Sequence, residues 1–187
     1  MRWWTSEVAR VSGGELNGPD VEVEGAAIDS RRVAGGELFV PVVAERDGHD
    51  FVGDALVAGA AAYLSARRPA GGTAVLVADT LVALHDLARD ARSRVGDRVV
   101  AVTGSVGKTT VKDLLRGALG ARWRTAAATG SFNNELGVPF TLVAAPEGTE
   151  ALALEMGARA AGDLRVLCGI ARPRVGVVTS VGLVHTQ

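Results

Sequence analysis

Val99-Val-Ala-Val-Thr-Gly-Ser-Val-Gly-Lys-Thr-Thr110 is a hydrophobic run that breaks into a glycine-rich turn and closes on a lysine and two hydroxyls. Its opening residues have the β-branched character of a buried strand. Gly104 and Gly107 let the backbone curl so that N–H groups face inward, which is the geometry of an anion nest. Lys108 adds a compact positive charge able to reach β- and γ-phosphates, and Thr109 a hydroxyl for the Mg²⁺ that accompanies them. Val111, Leu114, Leu115, Ala118 and Leu119 then recur at helical spacing, so the loop feeds an amphipathic helix whose N-terminus faces the nest. Strand, loop and helix stand in the order a phosphate site requires. Gly104, Ser105, Val106, Gly107, Lys108, Thr109 and Thr110 are therefore the expected nucleotide-binding residues. The match is to T-G-S-x-G-K-T-T, because the first glycine of G-x-x-x-x-G-K-[ST] would fall at Val102.

Composition narrows what surrounds this loop. A chain of 187 residues, 48% hydrophobic, can bury one large or two modest cores. Its 20 basic and 21 acidic residues nearly cancel, which argues against a general nucleic-acid or anionic-membrane surface. Cys168 is the single cysteine, cannot form an internal disulfide, and falls in an apolar helical stretch as core filler. The start Met1-Arg-Trp-Trp-Thr5 lacks the apolar core of a signal peptide, and no apolar run approaches the ~20 residues of a membrane span. A cytoplasmic protein without membrane insertion is the expectation.

Residues 1–95 and 96–187 read as two units, with Gly96-Asp-Arg98 as a hinge. The first has a capped helix start at Thr5-Ser-Glu7, a short alternating strand at Val21-Glu-Val-Glu24, and an apolar run Leu38-Phe-Val-Pro-Val-Val43. The alanine-rich stretch 51–64 predicts a helix and 74–77 a strand. Residues 81–95 predict a second helix with Leu81, Leu84, Leu87, Ala88, Ala91 and Val95 inward. In the second unit, strands are expected over 123–128, 151–155 and 175–179, and helices after Pro139 and over 163–171. Strands alternating with helices define an α/β class, and repeated βα units imply a parallel sheet. Ligands of such sheets bind beyond the carboxyl ends of the strands. The loop at 104–110, the turn Thr129-Gly-Ser-Phe-Asn-Asn-Glu135, Glu155 and the segment 179–185 all follow strands.

Glu155 closes an apolar strand, where a carboxylate can hold Mg²⁺ directly or through water. Four stretches in this unit now resemble one family: Thr103-Gly-Ser-Val-Gly-Lys-Thr-Thr-Val-Lys112, Ser131-Phe-Asn-Asn-Glu-Leu-Gly-Val-Pro139, Glu155-Met-Gly-Ala-Arg159 and Val177-Val-Thr-Ser-Val-Gly-Leu-Val-His185. In order and spacing they look like the central domain of the Mur ligases. Asp29-Ser-Arg31, Gly36-Glu-Leu-Phe-Val40 and Asp47-Gly-His-Asp-Phe51 resemble the same family's nucleotide-sugar-binding N-terminal domain. The second and third of the four stretches are most similar to the branch that adds D-alanyl-D-alanine.

The resemblance implies a small α/β N-terminal UDP-sugar-binding domain followed by a P-loop, parallel-sheet ATP-binding domain, here incomplete. It implies an ATP- and Mg²⁺-dependent amide-bond ligase acting on UDP-N-acetylmuramoyl-tripeptide and D-alanyl-D-alanine through an acyl phosphate, with a monomer as the expected state. Lys108 and His185 become the expected catalytic groups; Thr109, Glu155 and His185 the metal ligands; Ser30 and Arg31 the contacts to UDP. Asn133 and Asn134 would meet the muramoyl peptide or shape the nucleotide site, with turn formation as their alternative. The family's enzymes are far longer, so an N-terminal fragment unable to complete ligation alone is expected. Rival readings are a sibling ligase adding a different amino acid, a P-loop kinase or GTPase, and a non-catalytic nucleotide- or UDP-sugar-binding protein.

Overall fold

The computed structural model describes residues 1–69, 71–130 and 132–182. The chain divides into two units, Met1–Asp90 and Ala91–Gln187. The first contains β1 (Arg2–Trp4), α1 (Thr5–Ser12), β2 (Glu15–Asn17), β3 (Glu22–Glu24), β4 (Ala26–Ala27), β5 (Leu38–Phe39), α2 (Val52–Val57), β6 (Ala62–Ser65) and β7 (Ala74–Leu76), and most of α3 (Thr80–Ser93). Alternation decides β1 and β3: paired antiparallel, they set Trp3 opposite Val23 on the buried face while their neighbours point outward. The larger sheet runs β2-β7-β6-β5-β4, with β2 antiparallel to β7 and every other pair parallel. Phe39, Val52, Ala55 and Tyr63 knit α2 to this sheet in one apolar cluster.

The expected helix over 51–64 is much shorter. α2 ends at Val57, Gly59 turns the chain at φ +104°, and Ala62–Ser65 forms a strand buried at all four positions. Alanine suits both environments, and a glycine in the left-handed region decided between them. The helix expected over 81–95 is realised as α3, with Leu84, Leu87, Ala88 and Ala91 buried.

The second unit contains β8 (Val99–Thr103), α4 (Lys108–Gly120), β9 (Thr125–Ala127), α5 (Gly137–Val143), β10 (Ala151–Glu155), α6 (Asp163–Ala171) and β11 (Val175–Val178). Its sheet is parallel throughout, in the order β11-β8-β10-β9. β10 is buried at every position, as a central parallel strand covered on both faces requires. The register sets Glu155 opposite Val102 and Val178 opposite Thr103, so these strands end at the same level. The segments that follow them start from one edge of the sheet.

α4 packs against β8, β9 and β10 through a face that keeps Val111, Leu115 and Leu119 of the expected stripe but not Leu114 or Ala118. Leu114 is 69% exposed and Ala118 is exposed, whereas Lys112 is buried. The buried or half-buried positions of the helix are 108, 111, 112, 115 and 119, and the most buried of them is Lys112. Cys168 also departs from expectation, lying exposed on α6 with its thiol 3.9 Å from Met156 Sδ.

Candidate nucleotide-binding site

Beyond β8 the chain enters the glycine-rich loop. Gly104 stands at φ +130° and Gly107 at φ +85°, both in the left-handed region that side-chain-bearing residues avoid. A Cβ on Gly104 would strike Thr179 Oγ1 and come within 2.8 Å of Ser180 O, so glycine is also required by space. The segment after β11 straps the loop. Ser105 N–H donates to Ser180 O at 2.8 Å, Thr179 Oγ1 donates to Val106 O at 2.7 Å, and Ser105 Oγ donates to Gly182 O at 3.0 Å. Lys108 begins α4 with Gly107 as its N-cap, and its ammonium folds back to donate to Gly104 O at 2.6 Å. The first-turn amides of α4, which have no intrahelical acceptor, and the Lys108 ammonium together form a cationic cradle of a kind suited to phosphate oxygens.

Glu155, 2% exposed, ends β10 with both carboxylate oxygens occupied. Oε2 accepts from Thr109 Oγ1 at 2.8 Å, and Oε1 accepts from Asn133 Nδ2 at 2.8 Å. A threonine hydroxyl has one proton and two lone pairs. With its proton directed to Glu155, Thr109 keeps its lone pairs for a cation. One carboxylate and one hydroxyl beside a phosphate cradle fit Mg²⁺, which completes its shell with phosphate and water. Among the described residues no cluster of three or more His, Cys, Asp or Glu gathers as a metal cage.

The two asparagines take different jobs. Asn133 is tied into the carboxylate site by its amide, and its main-chain carbonyl accepts from Gly157 N–H at 2.7 Å. Asn134 makes the turn: its Oδ1 accepts from Gly137 N–H at 2.8 Å and Leu136 N–H at 3.3 Å, starting α5. Both also line a cavity of about 170 Å³ whose wall includes Gly157, Arg159 and Asp163. His185 lies outside the described residues.

In the first unit, Ser30 opens a short 3₁₀ turn capped by Asp29 and is 8% exposed. The Arg31 side chain is 85% exposed and forms a two-pronged pair with Asp29 at 2.9 and 2.7 Å. That pairing holds the Asp29 carboxyl down at about 2. The Asp47-Gly-His-Asp-Phe51 stretch is a short 3₁₀ turn capped by Asp47, half-buried apart from the exposed Asp50. His49 Nε2 accepts from Ala66 N–H at 3.1 Å, so Nδ1 carries the proton and donates to Asp47 Oδ1 at 2.6 Å. Gly48 is fixed by close approach, since a Cβ would lie 2.5 Å from Val42 N.

Sequence reasoning set the segment 179–185 at the ligand edge of the sheet but gave no role to Thr179, Ser180 or Lys112. The first two are ordinary polar residues after a strand. Lys112 had one available signal, its i+4 spacing from Lys108 on the same helix face.

A parallel α/β sheet whose strand ends present a glycine-rich loop, its lysine and a threonine–glutamate pair defines a P-loop nucleotide-binding protein. The chain is similar to the Mur ligases: its residues 102–187 match the Mur ligase middle domain. It is 42% identical to the Bacillus subtilis (strain 168) UDP-N-acetylmuramoyl-tripeptide–D-alanyl-D-alanine ligase, over 96% of this chain and 41% of that protein. It is 34% identical to the Escherichia coli (strain K12) protein of the same name, over 97% of this chain and 41% of that one. The Acinetobacter baumannii UDP-N-acetylmuramoylalanyl-D-glutamyl-2,6-diaminopimelate–D-alanyl-D-alanyl ligase has a similar structure, with a TM-score of 0.89 and 28% identity over 99% of this chain and 43% of that one. The MurF ligase of Thermotoga maritima, solved in complex with ADP, matches 88% of this chain and 39% of its own at 36% identity, with a TM-score of 0.75. The chain thus spans about two-fifths of the length of these relatives.

Proposed function

We propose that this chain supplies the UDP-sugar-binding and ATP-phosphate-binding parts of a ligase that joins D-alanyl-D-alanine to UDP-N-acetylmuramoyl-tripeptide at the expense of ATP. The observation that carries the reading is the Thr109–Glu155–Asn133 set, hydrogen-bonded at the strand ends of the same parallel sheet that feeds the Gly104–Lys108 loop. Residues 1–95 are the UDP-sugar side of the proposal and residues 96–187 the ATP side. The work is that of a cytoplasmic, monomeric enzyme of peptidoglycan precursor synthesis.

The chemical demand is electrostatic. A substrate carboxylate has to approach the γ-phosphate of ATP, and the two anions repel. Lys108 leaves its resting contact with Gly104 O to pair with phosphate oxygens, and the amides of residues 107–110 hold the remaining charge. Thr109 and Glu155 would hold Mg²⁺, which when bound supplies the charge that offsets this repulsion. Asn133 keeps the Glu155 carboxylate in place. His185 is assigned to a second metal position by resemblance. Arg31, exposed and already oriented by Asp29, is the contact proposed for the diphosphate of UDP, with Ser30 fixing the turn beneath it.

Separate titrations of ATP with Mg²⁺ and of UDP-N-acetylmuramoyl-tripeptide into wild type and Lys108→Ala test this. Loss of nucleotide binding with UDP-substrate binding retained is the expected result. Nucleotide affinity untouched by Lys108→Ala would overturn it.

A further inference from the structure

Lys112 is 1% exposed, yet it carries an ammonium that the proposed chemistry does not use. It lies one turn after Lys108 on α4. Its Nζ donates to Ala128 O at 2.7 Å and to Gly130 O at 3.2 Å, and lies 3.3 Å from Asp113 Oδ1. A buried ammonium is costly unless its protons are engaged, and here they are directed at the carbonyls of the chain leaving β9. That chain turns at Gly130, where φ is +65°, and two residues beyond 131 reaches Asn133. The Asn133 amide is one of the two donors on Glu155, and the other is Thr109, which lies three residues before Lys112 on the same helix. The helix therefore reaches Glu155 by two routes: directly through Thr109, and around the β9 loop through Lys112 and Asn133.

We infer that Lys112 is a positioning residue for the magnesium–phosphate site, pinning the 128–130 backbone so that Asn133 orients the Glu155 carboxylate. The inference rests on the proposed nucleotide function and adds a residue to it. The loop that holds phosphate is strapped by residues 179–182, whereas the Lys112 ammonium is directed at the carbonyls of 128 and 130.

The test is titration of ADP into the full 187-residue chain with and without Mg²⁺, comparing wild type, Lys112→Met, Lys112→Arg, Asn133→Ala and the Lys112→Met/Asn133→Ala double variant. The expected result for Lys112→Met is Mg²⁺-free affinity within about twofold of wild type and a loss of about tenfold in the enhancement given by Mg²⁺, the scale on which residues orienting a metal ligand act. Lys112→Arg, which retains charged donors, recovers part of that enhancement. The double variant loses no more than Asn133→Ala alone, because Lys112 acts on Glu155 through Asn133. Should Lys112→Met fail to fold, Lys112→Gln, with an amide donor of shorter reach, reads the same two titrations.

Three results overturn the inference while leaving the nucleotide site standing: equal losses with and without Mg²⁺, additive losses in the double variant, or normal binding by Lys112→Met under both conditions. Absence of ADP binding by the wild type under either condition overturns the proposed function and this inference together.

Discussion

Gly104 and Gly107 both have positive φ, but for different reasons. Around Gly107 a Cβ would meet nothing within 4 Å, so the demand there is purely conformational, whereas Gly104 is also walled in by Thr179 and Ser180. Gly107→Ala should therefore cost about 1–2 kcal/mol of backbone strain with the strap intact. Gly104→Ala should displace residues 179–180 and abolish ADP binding. Thermal unfolding together with ADP titration separates the two, and retained ADP binding by Gly104→Ala would refute the close-packed account of the loop. In the other unit, the Asp29–Arg31 pair gives a pH signature. Because the folded carboxyl titrates at about 2 rather than at its ordinary 3.8, the pair stabilises above about pH 4 and loses that contribution as pH falls through about 2. Asp29→Asn removes the contribution. The stability difference between wild type and this variant should then narrow across that window in acid titrations followed by circular dichroism.

Two elements depend on single residues outside their interiors. α5 is seven residues long and almost entirely buried, too short to persist by helix propensity alone. It is started by Asn134 and seated by Gly137, where a Cβ would lie 2.6 Å from the carbonyl carbon of Phe132. Asn134→Ala should cost about 1 kcal/mol as a lost cap. Gly137→Ala should cost about 1–3 kcal/mol by overpacking, and should also weaken Mg²⁺-dependent ADP binding, since Phe132 leads directly into Asn133. Denaturant midpoints and the paired titrations measure both effects. At the far end of the unit, the Arg92 guanidinium donates to the carbonyls of Ala171, Arg172, Val95 and Gly96, gathering the end of α6 and the residues before β8. Helix α4 supplies the contrast: Leu114→Gln, at an exposed position, should change stability by no more than about 0.5 kcal/mol.

For the molecule as a whole, the two units make separate ligand predictions. Mg²⁺-ADP in hundredfold excess over its dissociation constant should stabilise the nucleotide-binding unit by about 2.7 kcal/mol if the unfolded chain does not bind it. Hydrogen exchange should report the protection chiefly over 99–112, 128–137 and 151–157. Uridine diphosphate should protect residues around 29–32 instead, and protection by uridine diphosphate confined to the second unit would refute the assignment of roles.

Much of this was legible in the sequence because local chemistry leaves few options. The 99–110 run allows only a strand, a nest and a helix start. The 151–155 strand and the 163–171 helix occupy the bounds their apolar patterns predicted, and Glu155 was identifiable as a carboxylate at a strand end. Where two conformations suit the same residues, the sequence pattern pointed to only one of them. Ala58, Ala60, Ala61 and Ala62 could continue a helix or enter a strand, and the apolar spacing of α4 gave only part of the face that meets the sheet. The sequence by itself determined the α/β class, the glycine-rich loop between strand and helix and the strand-end carboxylate, because each depends on neighbours within a few residues. Only the tertiary structure decided that Thr109 and Asn133 share Glu155, that residues 179–182 strap the loop, and that Lys112 is buried. Those contacts join residues 16 to 77 positions apart, and it is strand register and packing that bring them together.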